Sequence, residues 1–141
     1  MTRISFYILK GQKEYDRHIF ACRLIEKAYR QGNDIYVHVE NAKQAEQLDR
    51  LLWSFREDSF VPHELVNLQT QANCPVLIGH NGSPPRLMSL LVNLSTSQPM
   101  FFSQFERVAE LINNDETIKV SGRERYRFYQ QRGYDLENHI I

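Results

Sequence analysis

The sequence lacks several features that would place it in a familiar functional class. Its two cysteines, Cys22 and Cys74, are too few for a disulfide framework, and neither belongs to a CxxC pair. Its formal net charge is zero, with 17 basic and 17 acidic residues, which argues against a broadly basic nucleic-acid binder. The first apolar run breaks at Lys10 and Lys13, so it is too short for a signal peptide or a membrane helix. We therefore expect a cytoplasmic protein with no membrane association.

The sequence also lacks the motifs of common catalytic and nucleotide sites. The turn after the first apolar run reads ILKGQKEYDRH and contains a single glycine, Gly11, where a dinucleotide loop needs GxGxxG and a P-loop needs GK[ST]. No GxSxG elbow occurs. His18 and Cys22 stand four residues apart but have no third metal ligand. We therefore expect no cofactor, no bound metal and no catalytic activity of its own.

What the sequence does contain is a regular alternation of segments typical of strands and helices. Short apolar runs rich in β-branched and aromatic residues predict strands at 4–9, 34–39, 74–79, 89–95 and 107–112. The stretch at 54–74 is rich in loop-forming residues, and Asn81–Gly82 favours a tight turn between two strands. The sequence indicates no role for the segment 66–88.

Helices are predicted between these strands. Apolar residues at steps of three and four predict a helix ended by Gly32, with a buried face formed by Tyr15, Ile19, Cys22, Ile25 and Tyr29. Asn41 is the predicted N-cap of a second helix, which buries Ala45, Leu48 and Leu52. A short helix is predicted at 97–105, and a last helix runs from about Asp115 to Gly133.

Strands and helices in this order and of these lengths form right-handed βαβ units around a parallel sheet. The sequence therefore predicts an α/β protein with one domain, residues 1–141. The expected architecture is a Rossmann-like three-layer fold with a mostly parallel sheet, and it lacks a nucleotide-binding glycine loop.

One candidate site is a cluster of apolar residues in an irregular segment. Trp53, the only tryptophan, is followed by Phe60, Val61 and Pro62. Some of these side chains are expected to fold back into the core. Aromatic residues are also preferred anchors of protein interfaces, so the residues alone leave core and interface equally open.

A second candidate site is the last helix, where Lys119, Arg123 and Arg127 stand four residues apart. On a helix this basic row lies about 100° from the apolar stripe formed by Ile118, Gly122, Tyr126 and Tyr129. Such a row can be an ordinary solvated face, a phosphate-binding surface with stacked bases, or a binding surface for an acidic peptide. Two starts are open for this helix, Asp115 and Ser121, and we favour Asp115 because Ile118 then joins the buried stripe.

Three segments in this order, LDRLLW…DSFVPHEL, PVLIG and RERYRFYQQRGYDL, resemble the chi subunit of bacterial DNA polymerase III holoenzyme. The resemblance implies a non-catalytic accessory protein that forms a heterodimer with the psi subunit. Through psi it joins the clamp-loader complex, and it holds the acidic C-terminal tail of single-stranded-DNA-binding protein during DNA replication. DNA would be contacted only indirectly.

The resemblance also implies residues for both contacts. The tail-binding residues would be Lys119, Arg123, Tyr126 and Arg127. The psi-subunit interface would be Trp53, Phe60, Val61 and Pro62. Two other functions remain open from the residues: a module that binds single-stranded nucleic acid directly, and a nucleotide-dependent α/β enzyme.

Overall fold

A seven-stranded sheet forms the centre of the protein, in a computed structural model that describes residues 1–66 and 73–141. In chain order the strands are β1 (Arg3–Ile8), β2 (Ile35–His38), β3 (His63–Leu65), β4 (Val76–Gly79), β5 (Leu90–Asn93), β6 (Arg107–Ile112) and β7 (Asp135–Ile140). They lie side by side in the order β3-β4-β2-β5-β6-β1-β7. Every neighbouring pair is parallel. The predicted α/β fold with a parallel-dominated sheet is therefore confirmed.

Helices cover both faces of this sheet and complete three layers. The described residues contain three α-helices, which are α1 (Glu14–Arg30), α2 (Ala42–Ser54) and α3 (Glu116–Gln131). Residues of α1 and α2 share one apolar core with side chains such as Val37 and Leu111. Tyr129 of α3 belongs to a second core on the other face, with Phe6 and Leu91. Because both faces of the central strands are buried, their sequences read as nearly continuous apolar runs.

Two helix starts are defined by side-chain caps that the sequence predicted. Asn41 accepts a hydrogen bond from the backbone N–H of Gln44 at 2.9 Å. Asp115 accepts one from the N–H of Ile118 at 3.2 Å, so the last helix begins after Asp115 and not at Ser121. Each cap satisfies a backbone donor that the first turn of a helix leaves without an intrahelical partner.

Three elements differ from the prediction. β7 was not predicted because DLENHI is polar, as suits an edge strand that pairs with β1 alone. β3 lies within the stretch read as loop, since its three residues are too few to show a period. The short helix predicted at 97–105 is limited to a 3-10 turn, Phe102–Gln104. Residues 67–72 of the segment 66–88 lie outside the described residues.

The buried face of α1 also differs from the predicted stripe. Tyr15 is 61% exposed, whereas Cys22 and Ile25 are fully buried as predicted. Arg17 takes part of the inward face, because its guanidinium donates hydrogen bonds to the backbone carbonyls of Leu111 at 3.3 Å and Leu94 at 3.1 Å. A hydrophobic periodicity does not reveal that a charged side chain can be buried by such contacts.

Within the described residues, no helix is both long enough and apolar enough to span a membrane.

Candidate functional site: a basic helix edge and an aromatic surface

The basic row, which we define as Lys119, Arg123 and Arg127, winds around α3 from the edge of its buried face toward solvent. Lys119 is half-buried, and the two arginines are exposed. At about 100° per residue, Lys119 lies about 90° from the centre of the buried face and Arg127 about 165° from it. The row thus borders the apolar face at its N-terminal end only, which corrects the prediction that all three cations border it.

The buried face of α3 agrees with the predicted stripe at Gly122 and Tyr129 and differs from it at Arg125. Gly122, Arg125 and Tyr129 are buried, whereas Ile118 and Tyr126 are half-buried. Gly122 is favoured here by close packing, because a Cβ at this position would lie 2.6 Å from Cδ1 of Ile112 in β6 and that side chain would have to shift. The glycine therefore allows the helix to approach the sheet closely enough for its neighbours to make their contacts.

Tyr126 connects the basic row to the edge of the sheet. Its ring packs edge-on against Phe6 of β1, with the ring centroids 5.1 Å apart. The side-chain amide of Asn138 in β7 lies 3.5 Å from the Tyr126 hydroxyl, and Ile140 of the same strand is 81% exposed. Tyr126, which stands next to Arg127 in the sequence, is therefore held between an aromatic ring and an amide at the edge of the sheet.

The charge of the row is largely unpaired among the described residues. Lys119 lies 4.0 Å from Glu116, a separation at the limit of an ion pair. In the described part of the chain, Arg123 and Arg127 form no ion pair. Two exposed guanidinium groups without a carboxylate partner can each present a planar pair of donors to a carboxylate.

The second candidate site is an aromatic surface, which we define as Trp53, Phe60 and Pro62. Trp53 at the end of α2 is 50% exposed and Phe60 is 67% exposed, and their ring centroids are 5.7 Å apart. The Trp53 ring also packs on the ring of His63 in β3, at 4.1 Å between centroids. Two large rings held together at the surface are typical of a protein interface.

Val61 does not share this exposure, since it is fully buried in the core under α1 and α2. An approaching partner cannot reach its side chain, so its predicted place in the interface is corrected to a place in the core. Phe60 and Val61 are adjacent in the chain, yet the first side chain faces solvent and the second faces the core.

The buried carboxylate of Glu26 holds the segment between Trp53 and Phe60 against α1. Glu26 is 5% exposed and lies 3.0 Å from Arg56, with Arg30 at 3.7 Å. The hydroxyl of Ser59 also donates a hydrogen bond to Glu26. The irregular segment is therefore anchored at both its start and its end, which presents Phe60 at a defined place.

The two candidate surfaces lie far apart on the sheet. Tyr126 contacts β1 and β7 at one edge, whereas Trp53 contacts β3 at the other. The edges are six strand spacings of about 4.8 Å apart, or roughly 29 Å. In addition, α3 covers one face and α2 the opposite face. The two surfaces can therefore be occupied at the same time.

The described residues contain no cluster of metal ligands. No group of three or more His, Cys, Asp or Glu residues within them could hold a metal ion. His18 instead pairs with Glu14 at 3.0 Å. Burial lowers the pKa of His38 at the end of β2, against an opposing effect of Glu40. Burial raises the pKa of the Cys22 thiol to about 12, which leaves it protonated and unreactive.

Sequence reasoning did not identify three residues on or beside α3. Asn138 and Ile140 belong to β7, whose polar edge sequence carries no period that would have predicted it. The burial of Arg125, which is 2% exposed, was also not predicted. Its position seven residues after Ile118 on the helix was a usable signal, since that spacing places it on the buried face.

The fold and the two surfaces define a class of protein: an α/β module with a Rossmann-like sheet and separated candidate contact surfaces. The family described as DNA polymerase III chi subunit, HolC, matches residues 1–137. The chain belongs to this family.

Relatives over the whole length agree with this assignment. The DNA polymerase III subunit chi of Pseudomonas aeruginosa is 40% identical over 141 residues, covering 100% of this chain and 98% of that protein. The subunits chi of Haemophilus influenzae and Escherichia coli are each 30% identical, covering 97% and 96% of this chain and 96% of each relative. The chain is therefore similar to these subunits from end to end.

Solved structures share the fold with little sequence identity. T4 UvsW has a TM-score of 0.72 at 10% identity, over 99% of this chain and 41% of that chain. The C-terminal domain of the DEAD-box protein Dbp5 has a TM-score of 0.66 at 16% identity, over 98% of this chain and 90% of that chain. At this identity the likeness concerns the arrangement of strands and helices alone.

Proposed function

We propose that this chi-family protein is a non-catalytic link between the clamp-loader complex of DNA polymerase III and single-stranded-DNA-binding protein. The basic row, with Tyr126, holds the acidic C-terminal tail of the single-strand binder. The aromatic surface pairs with the psi subunit, and psi connects the protein to the clamp loader. The observation that carries this proposal is the position of two exposed surfaces of different chemistry at opposite edges of one sheet.

The chemistry of the basic row suits a short acidic peptide with an apolar end. Arg123 and Arg127 present fork-shaped donors to carboxylates, while Tyr126 and the neighbouring Ile140 offer apolar area. Exposed ion pairs contribute up to about 1 kcal/mol each and weaken with salt. We therefore expect tail binding of roughly micromolar affinity that falls as the salt concentration rises.

The aromatic surface suits a more stable contact. Burying Trp53 and Phe60 against a partner removes apolar area from water, and this contribution is insensitive to salt. Large aromatic side chains also carry a disproportionate share of interface energy. A stable contact at one edge and a weaker, salt-dependent contact at the other suit a protein that tethers two assemblies.

The proposal is tested by titrating the wild-type protein with three labelled ligands: an acidic peptide with an apolar C-terminal residue, the same peptide with an amidated C-terminus, and single-stranded DNA. We expect the free-carboxylate peptide to bind most tightly. Binding of DNA without any partner protein, with no binding of the peptide, would favour the direct nucleic-acid module instead. A thermal shift on adding nucleotides would favour the α/β enzyme.

A further inference from the structure

A buried ion pair lies directly beneath the basic row. Arg125 stands between Arg123 and Arg127 in the sequence but points to the opposite side of α3, where it is 2% exposed. Its Nε lies 3.0 Å from Oε1 of Glu110 in β6, which is fully buried. The helix that presents the row is therefore tied to the sheet by a charged contact on its other face.

Further hydrogen bonds fix the Glu110 carboxylate in place. The Tyr129 hydroxyl donates to Oε2 at 2.7 Å. The side-chain amide of Asn93, the residue opposite Glu110 in β5, lies 3.2 Å and 3.1 Å from the two carboxylate oxygens. Burial raises the pKa of Tyr129 and the Glu110 charge raises it further, so the hydroxyl keeps its proton and remains a donor.

The Arg125 guanidinium also donates hydrogen bonds to two further groups. Its Nη1 donates to the carbonyl of Thr96 at 2.9 Å and to Oγ of Ser121 at 3.1 Å. Thr96 follows β5, so Arg125 connects α3 to two neighbouring strands. Hydrogen bonds are directional, and they weaken when the helix turns about its axis. An apolar contact in the same place would tolerate such a rotation.

The energetics of this cluster indicate a role other than stability. A buried ion pair is often no more stabilising than apolar residues of the same volume, because both charges must leave water. Among the described residues, Nη2 of Arg125 is buried and has no hydrogen-bond partner, which lowers the net gain further. The pair adds directional contacts, whose strength depends on the rotational setting of the helix.

That setting matters for the exposed side of α3. The surface of a helix lies about 5–6 Å from its axis, so a rotation of about 20° displaces a surface side chain by about 2 Å. A displacement of this size is enough to break the geometry of a charge-assisted hydrogen bond. Arg123 and Arg127 lie on this surface and would move together relative to Tyr126 and β7.

We infer that Glu110, Arg125 and Tyr129 are positioning residues that fix the rotation of α3 and thereby align the basic row for an acidic peptide. This inference rests on the proposed function of the row. None of the three is exposed enough to contact the peptide, so each acts through Arg123 and Arg127.

The test separates alignment from stability with the double variant Glu110→Leu/Arg125→Met. It replaces the ion pair by apolar groups of similar size but leaves the buried Tyr129 hydroxyl without its acceptor. The protein should therefore still fold, with a lower unfolding midpoint in urea than the wild type. We expect affinity for the acidic free-carboxylate peptide to fall about tenfold, as for the loss of one charge-assisted hydrogen bond. Unchanged affinity in the folded double variant would overturn the inference. No binding by the wild type would overturn the proposed function as well.

A second measurement tests the same inference even if the double variant does not fold. Tyr129→Phe keeps the packed ring and removes the bond to Glu110. Arg123→Ala is then measured in the wild type and in the Tyr129→Phe background. If the cluster aligns the row, Arg123→Ala lowers the affinity for the peptide by a smaller factor in the Tyr129→Phe background, because the alignment is already impaired there. Equal factors in the two backgrounds would show that the cluster contributes structure alone.

Discussion

Gly122 of α3 and Ile112 of β6 pack so closely that a side chain on Gly122 would collide with Ile112. A Cβ on Gly122 would lie 2.6 Å from Cδ1 and 3.2 Å from Cγ1 of Ile112. Because Ile112 is 6% exposed, it has little room in which to turn away. This contact sets the distance between the helix that carries the basic row and the sheet beneath it.

Gly122→Ala is therefore expected to destabilise the protein by about 1 kcal/mol. Overpacking costs about 1–3 kcal/mol, and the gain in helix propensity of about 1 kcal/mol offsets part of it. Adding Ile112→Val removes the Cδ1 atom that clashes, so the double variant should be more stable than additivity predicts. Urea unfolding of the four proteins of this cycle measures the coupling. A stabilised Gly122→Ala protein would contradict the close contact.

Arg123→Glu is expected to reduce binding of the acidic tail at least about tenfold, because it removes a fork of donors and adds a like charge. Stability should change by less than about 0.5 kcal/mol, since the side chain is exposed. Fluorescence titration with a labelled tail peptide at low and moderate salt measures the loss. The matched control is Arg23→Glu in α1, which makes the same change in net charge at another exposed arginine. If the two variants bind the tail peptide with equal affinity, the basic row is an ordinary solvated face.

Phe60 and Val61 should respond differently to alanine although they are adjacent. Phe60→Ala removes an exposed ring, so the free energy of unfolding should change by less than about 0.5 kcal/mol, while co-purification with the psi subunit weakens. Val61→Ala deletes buried methyl groups and should destabilise the protein by about 1–3 kcal/mol. Tail binding, at the other edge of the sheet, should survive both changes. Wild-type recovery of psi with a folded Phe60→Ala protein would remove the aromatic surface from the proposed interface.

The stability of the protein should depend on the protonation of His38. Burial lowers the pKa of this residue from 6.5 in the folded state, so the unfolded chain binds more protons between the lower value and pH 6.5. Stability contributed by the neutral imidazole is therefore present above pH 6.5 and is lost as the pH falls through the folded-state pKa. Urea unfolding at pH 7.5 and pH 5 should show a larger loss for the wild type than for His38→Gln. Identical losses would show that His38 does not contribute.

Local patterns in the sequence were sufficient for the class of fold and for much of the helical structure. Alternating apolar runs and helical stripes predicted a parallel α/β sheet, and the face of α2 with Ala45, Leu48 and Leu52 is buried as expected. The cap at Asp115 was also predictable, because an N-cap bond involves residues three positions apart. The four-residue spacing of Lys119, Arg123 and Arg127 is likewise a property of the sequence alone.

Long-range contacts decided the rest, since their partners are distant in the chain. Arg125 is buried because Glu110 and the carbonyl of Thr96 accept its hydrogen bonds. Its helical spacing from Ile118 places it on the inward face, but that spacing does not reveal these distant acceptors. The polar sequence of β7 becomes a strand because β1 offers a free edge. The separation of the basic row from the aromatic surface follows from strand order, which depends on how distant segments pair and not on the pattern within any one segment.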